Sequence, residues 1–224
     1  MNKAPQLYIF DMGDVVCGNV HCVPAMAASL GLSVTEFFAA AGALPADADT
    51  PYNAGDVRSI QAGTLGADEF WTRFESRVGR LFPGLRLRLE RREDGKPEDL
   101  WGRYFEPKLD AGVVSMIAEL IAAGRRVVCG TNTLPAHYEI HRARGDYACF
   151  QAIYASQRIG KVKPEADFWR HILDAEGFTA EETFFVDDAA ANVNAAAALG
   201  IASHCFKGAE ALRAELSRIG ALVT

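Results

Sequence analysis

Residues 8–16 read Tyr-Ile-Phe-Asp-Met-Gly-Asp-Val-Val, and the fold is decided there. Tyr8, Ile9 and Phe10 form a short apolar run, the pattern of a buried strand. The run stops at Asp11 and gives way to Gly13. A carboxylate at the mouth of a buried strand sits at the carboxyl edge of a sheet, where open α/β sheets place their ligands. A charge held there costs desolvation unless a cation or a reaction uses it.

Three later segments also put polar groups after apolar runs. They are Val127–Thr133 (VVCGTNT), Gly160–Glu165 (GKVKPE) and Phe184–Asn192 (FFVDDAAAN). Around them the chain alternates. Ala111–Ala123 reads as a helix stopped by Gly124, and Arg126–Cys129 as a strand. Leu134–Arg144 is a helix and Ala152–Ala155 a strand. Pro164–Glu176 is a helix with Pro in its first turn and Gly177 past its end. Phe184–Val186 is a strand, Ala190–Leu199 a helix closed by Gly200, Ile201–Cys205 a strand and Ala209–Ile219 the last helix. Strands alternating with helices imply a parallel sheet covered on both faces, an α/β Rossmann-like class.

Cys17 to Glu106 breaks that alternation. Ser33 with Glu36 is a capping-box signature, and Phe70, Phe74 and Val78 recur at helical spacing within Asp68–Leu81. The expected organisation is a core of residues 1–16 and 107–224 with a mainly helical insertion, 17–106, placed to cap the Asp11 loop. Leu85 to Leu89 alternates with Arg86 and Arg88, which predicts a short strand or extended loop, with a turn at Glu93–Lys96. Arg86, Arg88, Arg91 and Arg92 read as a solvated face rather than an anion contact.

The four motifs in that order resemble the haloacid dehalogenase superfamily, mostly phosphatases with a nucleophilic aspartate. The spacing from Gly124 to Phe185 is most similar to the bacterial sugar-phosphatase branch that includes α-glucose-1-phosphatase. The resemblance implies that Asp11 attacks phosphorus and forms an aspartyl-phosphate, splitting one difficult step into two. It implies Mg²⁺ held by Asp11, Asp188 and the Gly13 carbonyl, with Asp187 bound directly or through water. Adjacent carboxylates are the donors this hard cation takes together with substrate phosphate. Thr131 and the Asn132 amide would donate to a phosphoryl oxygen. Lys163, favoured over Lys161 by the Lys-Pro-Glu match, would pair with Asp11 and the phosphate. His137 would line the substrate pocket, and Asn192 is either behind the carboxylates or on a helix surface. Taken singly these residues have plainer readings: a loop-capping Asp11, an N-capping Asp188, a turn-forming Thr131-Asn132 pair.

One departure matters. The family's usual first motif is Asp-x-Asp, whose second carboxylate protonates the leaving group. Here Gly13 takes that place and the carboxylate comes one residue late, at Asp14. General acid–base help is worth on the order of 10²–10⁴-fold. A sugar 1-phosphate, whose anomeric leaving group needs less protonation, would suffer least. The expected function is hydrolysis of a small phosphorylated metabolite such as a sugar phosphate. The alternatives are a 2-haloacid dehalogenase, in which Asp11 attacks carbon without a metal, and a non-catalytic binding relative.

Composition sets outer bounds. The 224 residues carry a net charge of −6, which argues against a nucleic-acid binder. Five cysteines without a repeated spacing do not read as a disulfide framework, and His21, Cys17 and Cys22 do not supply four metal ligands. His137 and His141 with Glu139 do not form the zinc-protease pattern. No basic-then-apolar leader opens the chain, and Met116–Ala123 is too short to span a bilayer. A cytoplasmic protein without membrane or nucleic-acid partners is the expectation.

Overall fold

In a computed structural model that describes residues 4–222, the chain opens with strand β1 (Leu7–Phe10), all four residues buried. It then makes a short strand β2 (Cys17–Gly18) and a run of helices: α1 (Val23–Leu30), α2 (Val34–Ala40), α3 (Gly55–Gln61) and α4 (Ala67–Leu81). Strand β3 (Lys108–Leu109) brings it back by pairing antiparallel with β2. From there strands and helices alternate: α5 (Ala111–Ala122), β4 (Arg126–Thr131), α6 (Pro135–Arg144), β5 (Ile153–Ala155), α7 (Ser156–Ile159), α8 (Ala166–Glu176), β6 (Thr183–Asp187), α9 (Ala190–Ala197), β7 (Ala202–Cys205) and α10 (Ala209–Arg218).

The main sheet has the order β5-β4-β1-β6-β7. All its pairs are parallel, with Phe10 beside Cys129 on one side and Val186 on the other. The central strand is therefore the apolar run that leads into Asp11. Its side chains alternate between two layers. Tyr8 and Phe10 join Val113, Met116, Ile117, Leu120, Leu212 and Leu216 on one face. Leu7 and Ile9 join Phe168, Trp169, Ile172 and Ala196 on the other. Burying such side chains is worth about 1.5–3 kcal/mol each, which is why the register does not slip.

The insertion has its own apolar centre. Phe37, Phe70, Trp71, Phe74 and Trp101 pack as a ring cluster with centroid separations of 5.0–6.4 Å among the pairs involving Phe37. The Ser33–Glu36 capping box forms as expected and starts α2. Leu85 to Leu89 is an extended loop rather than a strand. Its leucines pack on the aromatic cluster, while Arg86 and Arg88 face outward, so the period-two signal is an interior edge without a ladder. Arg91 and Arg92 pair with Glu75, Asp68 and Asp94. The insertion also touches the sheet layer: Gly63, at φ +69°, sits so close that a Cβ would lie 2.3 Å from the Gln157 carbonyl of α7.

Among the described residues no single helix is long and apolar enough to cross a membrane. The bent pair α1–α2 is apolar because Val23, Met26, Leu30, Phe37 and Phe38 are buried in the insertion's core.

Candidate active site

Three adjacent parallel strands end side by side and deliver the sequence motifs to one place. Asp11 directly follows β1, Thr131 is the last residue of β4, and Asp187 is the last residue of β6, with Asp188 next. One carboxylate oxygen from each of Asp11, Asp187 and Asp188 lies within 4.8 Å of the others. Asp11 and Asp187 are buried, whereas Asp188 opens to solvent.

Lys163 enters this group from the loop after α7. Its side chain is almost wholly buried, and its Nζ lies 2.9 Å from Asp11 Oδ1 and 2.7 Å from Asp187 Oδ2. Burial works against the ammonium, but Asp11 and Asp187 outweigh it and hold Lys163 above its ordinary pKa. Burial pushes Asp11 up to about 7; Lys163 pulls it back, and Asp187 and Asp188 add to the rise. Asp188 is also raised, by burial and then by Asp187.

The sequence predicts Lys163 entering at the start of a helix whose first turn holds Pro164. The helix instead starts at Ala166 after a turn, with Glu165 as the residue before it in extended conformation. What fixes Lys163 is Asn132. Its Oδ1 accepts from Lys163 N at 2.9 Å and its Nδ2 donates to Lys163 O at 2.9 Å. The Asn132 side chain is therefore a clamp on the lysine backbone, and only its main-chain amide is left for the expected contact with substrate.

Asp187 is equally committed. Besides Lys163, it accepts from Asn192 Nδ2 at 2.9 and 3.1 Å and from Ala189 N at 2.9 Å. Asn192 thus sits behind the carboxylates rather than on the helix surface, and its Oδ1 is buried without a partner. Ala189 precedes α9, so the capping role that Asp188 could have taken falls to the turn made by Asp187. Asp188 is left as the outward carboxylate beside Asp11.

A cavity of about 160 Å³ opens between these strand ends and the insertion. Gly13, Thr131, Asn132 and His137 line it, with Val20, Tyr52, Trp101, Phe105 and Leu134 as its apolar wall. His137 lies on the wall of this cavity, as a packed ring. It stacks on Phe105 at 3.7 Å with an interplanar angle of 7°, and its Nε2 lies 3.0 Å from the Trp101 carbonyl. Burial pushes its pKa down to about 4. Gln61 Oε1, Trp101 Nε1 and Tyr147 OH belong to lining residues and are buried without partners.

The cysteines and histidines near the site do not converge. Cys17 Sγ lies 3.9 Å from His141, Cys22 Sγ lies 3.7 Å from His137, and His21 goes to Asp14. Among the described residues, the three aspartates are the group with the spacing for a metal ion. Sequence reasoning missed the Asp14–His21 pair, whose Oδ2–Nε2 distance is 2.7 Å. Its one local signal is the carboxylate shifted to Asp14, which the left-handed backbone there, φ 53°, turns out of line with Gly13.

The model of the haloacid dehalogenase-like hydrolases matches residues 5–200. The sesquiterpene phosphatase astK of Aspergillus oryzae is 30% identical over 145 residues, which cover 62% of this chain and 73% of that protein. A HAD family enzyme from Bacteroides thetaiotaomicron superposes with a TM-score of 0.64 at 18% identity, covering 92% of this chain and 95% of the other. The L-2-haloacid dehalogenase of Xanthobacter autotrophicus, solved with chloropropionic acid covalently bound, superposes with a TM-score of 0.56 at 17% identity, covering 96% and 83%. These two likenesses concern the fold.

Proposed function

This chain belongs to the haloacid dehalogenase-like hydrolases, and we propose that it is a Mg²⁺-dependent phosphatase of a small organic phosphate monoester, with Asp11 as nucleophile. The observation that carries the reading is charge. Three carboxylates share the carboxyl ends of β1 and β6 with one ammonium, Lys163. An uncompensated excess of negative charge repels a phosphate, so the site needs a further cation before it can bind one. A dehalogenase acting without a metal would leave Asp188 unexplained.

The donor set fits a hard cation with oxygen ligands. Asp11, Asp188 and the Gly13 carbonyl would hold Mg²⁺, with Asp187, its oxygens engaged by Lys163 and Asn192, acting through water. When bound, the ion supplies positive charge beside the phosphoryl oxygens. The rest is done by the chain. Lys163 holds the Asp11 carboxylate in place and shares the phosphoryl charge; Thr131 Oγ1 and the Asn132 amide donate to it. An Asp11 oxygen forms a bond to phosphorus as the ester oxygen leaves, and water then releases phosphate and regenerates the carboxylate. The helical segment 17–106 closes over the cavity as a cap and excludes bulk water.

The cavity wall bears on the substrate. A sugar presents hydroxyls all round, and each needs a polar partner when buried. The wall presents more apolar than polar surface: Val20, Tyr52, Trp101, Phe105 and Leu134 stand beside His21, His137 and His141, and Gln61, Trp101 and Tyr147 each hold one buried polar atom without a partner. It suits an apolar body bearing one or two oxygens better than a sugar, in keeping with a relative named for a sesquiterpene. A cavity of this size compares with an engineered one of about 150 Å³ that takes up benzene, so a fifteen-carbon body would require the cap to lift.

The test is a panel of phosphate monoesters, sugar and prenyl or aryl, assayed for phosphate release with Mg²⁺ and with excess chelator. Release that depends on Mg²⁺ and favours apolar esters is expected. Chelator-insensitive halide release from a 2-haloacid would replace this reading with the dehalogenase, and inactivity on every ester would leave the non-catalytic one.

A further inference from the structure

The missing second carboxylate leaves the phosphatase reading, on which this inference rests, without a proton donor for the leaving group. A residue that fills the place must line the cavity and must both give a proton and take one back. That requires a pKa near the working pH.

The titratable side chains lining the cavity are His21, Cys22, Tyr52, His137, His141 and Tyr147. Five of them are disqualified by their surroundings. Burial pushes the Cys22 thiol up to about 11 and raises both tyrosines further, so none of the three releases its proton readily. His137 is held by the Trp101 carbonyl and stacked on Phe105. Both ring nitrogens of His141 are engaged, Nδ1 by Asp146 at 2.9 Å and Nε2 by Cys17 Sγ at 3.9 Å, so neither is left for a substrate. Burial lowers the pKa of both rings, so they stay neutral.

His21 differs in its surroundings. It stands on the connection between β2 and α1, where the chain passes from the sheet into the cap, and its side chain keeps 64% of its exposure. One ring nitrogen is held by Asp14 at 2.7 Å, which leaves the other free of that bond. A carboxylate on one imidazole nitrogen fixes the ring's orientation, the arrangement of a positioned acid–base histidine. The displaced carboxylate of the first motif thus has a partner. Asp14, in its left-handed backbone conformation, does not replace the missing acid but positions one. Val20, the neighbour of His21, packs 3.6 Å from where a Gly13 Cβ would stand, which sets this connection against the vacated position.

We propose that His21, held by Asp14, is the general acid and base of this site. In the first step an Asp11 oxygen bonds to phosphorus, the phosphorus–ester oxygen bond breaks, and the proton on the free His21 nitrogen passes to that oxygen, which departs as an alcohol. In the second, neutral His21 takes a proton from water as the water oxygen bonds to phosphorus. The bond to Asp11 breaks, and phosphate leaves with His21 reprotonated.

The experiment compares kcat and KM of wild type, His21→Gln and Asp14→Asn on p-nitrophenyl phosphate and on a primary alkyl phosphate, all with Mg²⁺. The nitrophenolate needs little protonation to leave; the alkoxide needs it fully. His21→Gln should lower kcat on the alkyl ester by about 10²–10⁴-fold, with KM little changed and the nitrophenyl rate nearly kept. Asp14→Asn should show the same pattern with a smaller loss. Equal losses on both esters, or no loss on either, would overturn the assignment while leaving the phosphatase reading intact. A wild type that hydrolyses neither ester would overturn both.

Discussion

Replacing Lys163 by Met removes the cation from the centre of the site while keeping most of the side chain's volume. Nζ lies 2.9 Å from Asp11 and 2.7 Å from Asp187 in a buried position, so the variant leaves two buried carboxylates without it. Breaking a buried pair by deleting one partner costs about 3–5 kcal/mol. That is a large part of the roughly 5–15 kcal/mol that holds a domain folded. At a urea slope of about 2 kcal/mol per molar, the midpoint falls by about 1.5–2.5 M. Trp169, 5.4 Å from Phe185 on the strand beside β1, reports the transition by fluorescence. The double variant Lys163→Met/Asp187→Asn removes one of the stranded charges and should recover at least about 1 kcal/mol of the loss, as coupled neighbours do. A single variant whose midpoint moves by less than about 0.5 M at unchanged slope would refute the claim that Lys163 neutralises these carboxylates.

Mg²⁺ at about 100 times its dissociation constant should stabilise the wild type by about 2.7 kcal/mol. Asp188→Ala should abolish that gain with little cost to metal-free stability. Asp187→Ala should instead lower stability, because it removes one of the two carboxylates on Lys163 Nζ and strands Asn192 Nδ2; thermal melts with and without Mg²⁺ distinguish the two, and the reverse pattern would exchange their roles. His137 titrates near 4 in the folded chain against an ordinary 6.5. The unfolded chain therefore binds the extra proton first, so the contribution of this group is intact above pH 6.5 and is lost as pH falls toward 4. The cost is at most about 1.4 kcal/mol per pH unit, or about 3 kcal/mol in all. His137→Gln should flatten that limb of the stability curve, measured by urea unfolding at stepped pH, and an unchanged limb would show that the ring is solvated.

Much of the architecture was legible because its signals are local. A fully buried parallel strand needs an unbroken apolar run, and Leu7–Phe10 and Phe184–Val186 supply one. Helix ends carry their own caps, as at Ser33–Glu36 and Gly177. The convergence of Asp11, Thr131 and Asp187 also followed, since parallel strands bring equivalent ends to one edge. What stayed hidden depends on pairings between distant segments. Nothing near Asn132 indicates that its amide will grip the backbone of Lys163, 31 residues on. That grip belongs to the loop that holds Lys163 ahead of a helix beginning only at Ala166. Asp14 and His21 meet because the backbone turns left-handed at Asp14, a choice that favours glycine and that a single sequence does not announce. Leu85–Leu89 misleads in the other direction: its alternation records one buried side, and a strand also needs a neighbour to pair with.

The central claim is that Asp11 takes the phosphoryl group. The most direct test mixes the protein with Mg²⁺ and the best ester from the panel, quenches in acid during turnover, and weighs the peptide containing Asp11 by mass spectrometry. This peptide should be heavier by one phosphoryl group in the wild type and unmodified in Asp11→Asn, which should also retain no more than a few per cent of turnover. Steady phosphate release by the Asp11→Asn variant, or a phosphoryl group found on another residue, would contradict it.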